Sequence, residues 1–289
     1  MGGIGWSERM SVGVPTLDAD HKTLVGLIND LHRSIGDHEE YATLGSVLQA
    51  LTEYAEYHFA REERVMAAYR YPSLGAHTVM HHKLAQQVRD LKARYDADRE
   101  TVRAKECLDF LHKWLIEHIC SADMDYRAWV LADPSGIAAA EGTTITGAKP
   151  REGGIDWKAL RILVVDDNVN FCNVMRTILG GVGVTDVRTV EEVVKAQAEL
   201  GAAPPDVVIT DWHVGKDSGL DLVRWIRRHS AAEVADLPVL VLSGHERIAN
   251  RDLALAAGSD EFMEKPISAR GLLIGLARLL SRRRDGGNG

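Results

Sequence analysis

The chain contains little cysteine, with 3 such residues in 289. Cys107, Cys120 and Cys172 are scattered along it, which excludes a disulfide framework and is typical of a protein in a reducing compartment. The sequence also lacks an apolar run long enough to cross a bilayer. Its first residues, MGGIGWSERM, lack the basic start and apolar core of a secretion signal. We therefore expect a cytoplasmic protein without a membrane partner.

Positive charge is also scarce, since 34 basic residues face 42 acidic ones and the net charge is −8. This balance argues against a broad surface for nucleic acid or anionic lipid. No Ser/His/Asp or Cys/His catalytic grouping is recognisable, and Gly180, Gly181 and Gly183 do not follow a strand as a phosphate-binding loop would. We therefore expect no enzyme in the ordinary sense.

What is present suits two globular domains, with 45% hydrophobic and 26% charged residues over a length that exceeds one ordinary core. Between about 20 and 130 the apolar residues recur at helical spacing, as in the stripe Leu24, Leu27, Ile28 and Leu31 that continues to Ile35. Helical segments with short connections predict an all-α, up-down four-helix bundle. We place this domain at 1–132.

The pattern changes after the bundle. Residues 133–156 are rich in Gly, Ala, Thr and Pro without periodicity, and we predict a flexible linker there. From 157 to 289, short apolar strands alternate with helices, which predicts an α/β domain with a parallel sheet. The predicted strands are RILVVD, DVRTV, DVVITD, LPVLVLS and EFMEK. Five strand–helix units fit a flavodoxin-like (βα)5 fold with strand order 2-1-3-4-5.

Histidine is unevenly distributed, because 9 of the 12 lie between His21 and His118. Two pairs, His58 with Glu62 and His77 with His81, are spaced by four residues and therefore share a helix face. His21 and His118 lie on the first and last helices, and Asp123 follows five residues later. That last spacing is off-face for a regular helix, so we expect a loosened turn there. The predicted ligand set is His21, His58, Glu62, His77, His81, His118 and Asp123.

This set of donors favours iron. If both carboxylates bridge two metal ions, the five imidazoles and one bridging oxide or hydroxide fill all but one position of two octahedra. The remaining position can take dioxygen, and imidazole with carboxylate suits iron, though not uniquely. Ferritin-like carboxylate proteins instead pair Glu-x-x-His motifs. With fewer carboxylates to stabilise oxidised iron, we expect reversible dioxygen binding rather than oxidation chemistry.

The segments around these residues resemble the bacterial branch of the hemerythrin family over about 6–130. The resemblance is carried by Trp6 and by SVGVPTLDADHKTL, HFAREE, HTVMHHKL and HKWLIEHICSADMDY. It implies two non-haem irons joined by a bridging oxo or hydroxo group. One iron is implied to bind His77, His81 and His118, and the other, with the open position, His21 and His58. Glu62 and Asp123 are implied to bridge.

A second group of polar residues lies at the predicted strand ends of the α/β domain. Asp166 and Asp167 end the first strand, Asp211 the third, Ser243 the fourth and Lys265 the fifth. The carboxyl ends of parallel strands meet in one crevice. Clustered carboxylates there suit Mg²⁺, one carboxylate can attack a phosphoryl group, and the lysine and serine can hold its oxygens.

This pattern resembles the receiver domain of two-component response regulators over about 158–283. The resemblance implies that Asp211 is the phosphoacceptor, with a sensor histidine kinase as partner. It also implies that Asp167 binds Mg²⁺ directly, Asp166 mainly through water, and His213 through its backbone carbonyl. Ser243 and Phe262 occupy the two switch positions. A receiver-like fold that is never phosphorylated is the alternative, but this chain keeps the acidic pair and the lysine.

Together these patterns predict an oxygen- or redox-sensing two-component protein whose only chemistry besides ligand binding is phosphorylation and dephosphorylation of its receiver. We expect output through a protein target, and a homodimer is one arrangement that would serve it. The alternative is a protein that stores or delivers dioxygen, with the receiver only regulating or localising it. The sequence leaves nitric oxide and redox state open as signals.

Overall fold

The computed structural model describes residues 3–35, 40–132, 155–244 and 251–286. The chain divides into two compact units, Met1–Glu152 and Gly153–Gly289. The predicted linker at 133–156 lies outside the described residues except for its last two. Among the described residues, no helix is both long and apolar enough to cross a bilayer.

The N-terminal unit is helical, as predicted. Helix α1 packs against α2 and α4, and α2 also packs against α3. Short 3₁₀ turns at Glu8–Met10 and Arg99–Thr101 lie outside the long helices. The helices are α1 Pro15–Ser34, α2 Glu40–Ala68, α3 Leu74–Ala97, α4 Ala104–Glu117, a π-helix His118–Asp123 and α5 Met124–Ala132.

Helix α1 shows how the local sequence sets the bundle. Pro15 occupies the first turn, where its fixed φ favours helix and its missing N–H costs nothing. Asp18 in that turn accepts hydrogen bonds from Val12 N at 2.8 Å and Ser11 Oγ at 2.7 Å, which fixes the entering chain. The predicted apolar stripe is buried from Leu24 to Leu31, and each such side chain contributes about 1.5–3 kcal/mol, while Ile35 at its end is only half-buried.

The loosened turn expected near the last ligands is a π-helix of 6 residues, His118–Asp123, between α4 and α5. A regular helix would turn a residue five positions on away from the face of His118. The wider π-turn leaves both side chains buried, with Asp123 at 0% exposure. The π-helix is therefore the local feature that brings Asp123 to the interior.

The C-terminal unit is an α/β domain whose parallel sheet has five strands. Their order is the predicted one, 2-1-3-4-5. The strands are β1 Arg161–Val165, β2 Asp186–Val190, β3 Val207–Asp211, β4 Val239–Ser243 and β5 Glu261–Glu264. The helices are α6 Val169–Gly181, α7 Val193–Ala202, α8 Gly219–Arg227, α9 Ala232–Ala235, α10 Arg251–Ala257 and α11 Ala269–Gly286.

The burial of the strands follows from their place in the sheet. Central strands β1, β3 and β4 are almost wholly buried, while the edge strand β2 is half-buried throughout. A strand covered on both faces needs a continuous apolar run, which VVIT and VLVL supply. The polar residues that end β1, β3 and β4 therefore come out at one edge of the sheet.

Candidate metal centre and phosphoacceptor site

Side chains from α1, α2, α3 and the π-helix converge inside the N-terminal unit. Every one of them is at most 5% exposed, which is unusual for histidine and carboxylate side chains. They are the residues named from sequence spacing: His21, His58, Glu62, His77, His81, His118 and Asp123.

Their donor atoms fall into two groups, within each of which the atoms lie no more than 4.8 Å apart. One group contains three histidines and the other two, and both contain the two carboxylates, Glu62 and Asp123. The histidines of the first group are His77, His81 and His118, and those of the second are His21 and His58. Each group could hold a metal ion, and the two groups share both carboxylates.

Asp123 faces both groups, with one oxygen toward each. Its Oδ1 lies 3.2 Å from Nε2 of His118 and 3.4 Å from Nε2 of His77. Its Oδ2 lies 3.4 Å from Nε2 of His21.

Glu62 uses its two oxygens differently. Its Oε2 lies 3.2 Å from Nε2 of His81 and 3.5 Å from Nε2 of His58, so one oxygen faces both groups. Its Oε1 accepts a hydrogen bond from the hydroxyl of Tyr126. Burial and the neighbouring carboxylates raise the pKa of this tyrosine well above its ordinary value, so the hydroxyl keeps the proton that it donates.

The polar atoms at the centre of the cluster fit a metal. Oε2 of Glu62, both oxygens of Asp123 and the Nε2 atoms of His77, His81 and His118 are buried without a hydrogen bond in the described structure. Buried polar atoms are normally paired, because an unpaired one costs about 1–3 kcal/mol. Metal coordination would satisfy all of these atoms together.

The electrostatics of the carboxylates agree with that fit. Burial alone would raise the pKa of Glu62, but His118, His58 and His81 hold it well below the ordinary value. The pKa of Asp123 is lowered as well, because the pull of His118, His21 and His77 outweighs burial and the charge of Glu62. Both side chains are therefore ionised and able to bind a cation.

The structure also shows partners of these residues that spacing did not reveal. Nδ1 of His81 lies 2.8 Å from Oε1 of Glu63, and the ring of Phe59 stacks on His81 with centroids 4.0 Å apart. Such contacts orient a ligand histidine and keep water out. The only sequence signal for them is adjacency to the ligands, as in HFAREE, and adjacency does not say which side chain points where.

In the C-terminal unit, Lys265 ties together two of the predicted acidic residues. Its Nζ lies 2.7 Å from Oδ2 of Asp166 and 2.7 Å from Oδ1 of Asp211, and 4.0 Å from the ring centre of Phe171. Burial and the charges of Lys265 and Asp211 bring the pKa of Asp166 to about 6, since burial and Asp211 outweigh the lysine. Burial opposes the charge of Lys265, but the two carboxylates raise its pKa.

The other predicted residues of this site lie on the same rim. Asp167 and His213 are exposed, and the backbone N–H of His213 donates to Oδ2 of Asp211 at 3.1 Å. Ser243 is buried and its hydroxyl donates to the carbonyl of Gly244, and Phe262 is 8% exposed with its ring against Trp212. The rim thus gathers carboxylate and carbonyl groups of the kind that a divalent cation prefers.

The loop after Asp211 is held by a short hairpin in which His213–Val214 pairs with Asp217–Ser218. The hairpin was not predicted, because strands of two residues leave no periodicity. Gly219 follows it and donates its N–H to the carbonyl of Trp212 at 2.8 Å. A Cβ at this position would lie 1.9 Å from the carbonyl oxygen of Asp211, so only glycine fits.

Comparisons with known proteins find a related family for each of the two domains. The model of the Hemerythrin HHE cation binding domain matches residues 12–130, and that of the Response regulator receiver domain matches residues 162–276. The chain is 28% identical over 127 residues to the bacteriohemerythrin of Stenotrophomonas maltophilia, covering 44% of this chain and 81% of that protein.

Two further relatives match. The transcriptional regulatory protein TrcR of Mycobacterium tuberculosis is 30% identical over 138 residues, covering 48% of this chain and 52% of that protein. The solved receiver domain of NtrX from Brucella abortus is 31% identical, covering 42% of this chain and 98% of that one, with a TM-score of 0.38. Residues 12–130 therefore form a hemerythrin domain and residues 162–276 a response regulator receiver domain, so that the chain is a signalling protein with a hemerythrin domain.

Proposed function

We propose that the hemerythrin domain holds a di-iron centre that senses dioxygen or redox state, and that the receiver domain carries the signal. The observation that carries this proposal is the buried cluster in which two groups of histidines share Glu62 and Asp123. A hemerythrin domain implies non-haem iron, and the buried set of imidazole and carboxylate donors fits it. Iron bound there would supply reversible binding of dioxygen and a change of oxidation state.

In this proposal the protein residues divide as the family resemblance implies. His77, His81 and His118 would hold one iron, His21 and His58 would hold the other, and the two irons would share Glu62 and Asp123. The two-histidine iron would supply the binding of dioxygen. Support comes from the distances of Asp123, whose two oxygens face different groups.

In the receiver domain, we propose Asp211 as the nucleophile that takes a phosphoryl group from a sensor histidine kinase. Asp166, Asp167, Asp211 and the carbonyl of His213 would hold Mg²⁺, which neutralises the phosphoryl charge when bound. Lys265 already reaches Asp211 and, with Ser243, would hold phosphoryl oxygens. Rearrangement of Ser243 and Phe262 would report phosphorylation to a protein target, with no enzymatic output.

The iron count and spectrum of the full chain, purified with and without air, test the first half. We expect two irons per chain and a visible band that depends on oxygen. The variant H77A should lose iron, whereas H82A should keep it, because His82 is exposed on the same helix. A metal-free wild-type protein would contradict the di-iron centre.

The second half is tested by phosphotransfer from a small phosphodonor, which the wild type should accept and D211N should not. Dioxygen affinity is then measured with and without beryllofluoride at Asp211. Coupling between the two sites must be reciprocal, so a sensor should show different affinities. Equal affinities would instead favour the alternative, in which the protein stores or delivers dioxygen and the receiver only regulates or localises it.

A further inference from the structure

A buried charge pair lies behind one of the cluster histidines. Asp20, directly before His21 on α1, has its side chain only 4% exposed. Arg61 on α2 reaches it, and its Nη1 lies 3.1 Å from Oδ1 and 3.0 Å from Oδ2. On its other side, Oδ2 of Asp20 lies 3.5 Å from Nδ1 of His58. An arginine, a carboxylate and a candidate ligand thus form a line across two helices.

Arg61 is held in place by more than Asp20. Its Nη1 lies 3.5 Å from the carbonyl oxygen of Thr16 in the first turn of α1, and its guanidinium lies 4.4 Å above the ring centre of Tyr57. With its side chain 11% exposed, it supplies a nearly buried positive charge. A buried carboxylate without such a partner would strongly destabilise the folded protein, so Arg61 stabilises Asp20 in its buried position.

The position of Asp20 matters because of the two nitrogens of His58. An imidazole can bind a metal through Nε2 when Nδ1 carries the proton, and that proton needs an acceptor. In the described structure Nδ1 of His58 makes no hydrogen bond, and the carboxylate of Asp20 is the acid that faces it. The gap of 3.5 Å exceeds a hydrogen bond by about half an ångström, and such contacts commonly tighten when a site is filled.

The same arrangement occurs once more in the cluster. Nδ1 of His81 lies 2.8 Å from Glu63, so a carboxylate stands behind one histidine of each group. The side chain of Glu63 is 28% exposed to solvent. Asp20 is buried, and this difference explains why only Asp20 needs an arginine behind it.

We propose that Arg61 is a positioning residue of the metal centre, acting through Asp20 to orient His58. Arg61 holds the carboxylate of Asp20 near Nδ1 of His58. Nε2 of His58 is thereby directed toward the metal position that His58 shares with His21. This inference rests on the proposed di-iron site. It adds that the affinity of this position depends on a guanidinium that acts through the carboxylate of Asp20.

The test uses the full chain in its metal-free form, titrated anaerobically with Fe²⁺ against a chelator. R61M and D20N should each weaken one of the two binding steps by about 10–100-fold, as expected for an outer partner of a ligand histidine. The exposed pair Arg89–Glu56 offers a matched control, so R89M should bind both irons as the wild type does. The visible spectrum of the loaded protein should change in R61M and D20N but not in R89M.

A double variant separates positioning from general stabilisation. If Arg61 acts through Asp20, D20N/R61M should bind iron no worse than D20N alone, because the two residues share one pathway. Losses that multiply in the double variant, or wild-type affinity in R61M, would overturn the inference. If circular dichroism shows that metal-free R61M does not fold, the nearly isosteric D20N tests the inference by itself. Wild-type iron affinity in D20N would also overturn the inference. A wild type that binds no iron would instead remove the proposed function itself.

Discussion

At the residue scale, the pKa values of Glu62 and Asp166, one carboxylate from each site, are shifted in opposite directions. Histidines surround Glu62 and hold its pKa well below the ordinary value, whereas burial and the neighbouring Asp211 raise the pKa of Asp166 to about 6 in spite of Lys265. The difference comes from the neighbours rather than from burial, because both side chains are buried. Each site is thus prepared for a cation in a different way.

The raised pKa of Asp166 predicts that Mg²⁺ binding to the receiver depends on pH. Below about pH 6 a proton occupies Asp166 and must leave before the cation binds, so affinity should rise with pH up to about 6 and then level off. Calorimetric titration of the full chain between about pH 5 and about pH 7, roughly one unit either side of this pKa, would measure the change in affinity. In D166N the pH dependence should vanish, and a wild type with constant affinity over that range would contradict it.

Tyr126 provides a second prediction at this scale. Y126F keeps the ring but removes the hydroxyl that donates to Oε1 of Glu62, which leaves a buried charged acceptor without its partner. We expect the free energy of unfolding of the metal-free hemerythrin domain to fall by about 1–3 kcal/mol. Denaturant unfolding of the full chain measures the change, and an unaltered midpoint would show that the hydrogen bond contributes nothing.

At the scale of elements, the π-helix decides whether Asp123 reaches the cluster. Inserting one alanine after Ser121 should turn Asp123 by about 100° around the helix axis and abolish iron binding. Deleting the exposed Ser121 should restore a regular helix with Asp123 four residues after His118, on the same face, and keep iron. Iron stoichiometry of the two variants tests this, and equal losses in both would show that the segment tolerates no change of length.

The loop that follows Asp211 gives the second prediction for an element. G219A places a methyl group against the backbone of Asp211 and should destabilise the receiver domain by about 1–3 kcal/mol or more. G180A is the matched control, since nothing lies within 4 Å of its added Cβ on α6. Replacing a helical glycine there should stabilise by about 0.5–1 kcal/mol. Thermal unfolding compares the two, and a neutral G219A would mean that the loop can shift.

At the scale of the whole molecule, the two compact units each have their own core. Calorimetric unfolding should therefore show two transitions, of which iron raises one and Mg²⁺ with beryllofluoride raises the other, because a ligand stabilises the unit that binds it. A smaller shift that a ligand causes in the transition of the unit that does not bind it would measure the coupling free energy between the two units. A single transition that responds equally to both ligands would contradict two independent cores.

Much of both sites could be predicted from the sequence, because some spacings are local geometry. His58 with Glu62 and His77 with His81 share a helix face whenever those segments are helical. The five-residue spacing of His118 and Asp123 likewise required a loosened turn, and the structure contains one. In the receiver domain, polar residues at the ends of apolar strands had to meet at one edge of a parallel sheet.

Other features were decided only by how the elements pack. Arg61 and Asp20 lie 41 positions apart, and Tyr126 and Glu62 lie 64 apart, so no periodicity connects them. Their contacts depend on the rotation of each helix about its axis and on the rotamers that packing allows. The sequence by itself determined which side chains could bind metal and on which helix faces they lie. The tertiary structure decided which oxygen faces which histidine and which charges stand behind them, because those contacts join surfaces that meet only in the folded chain.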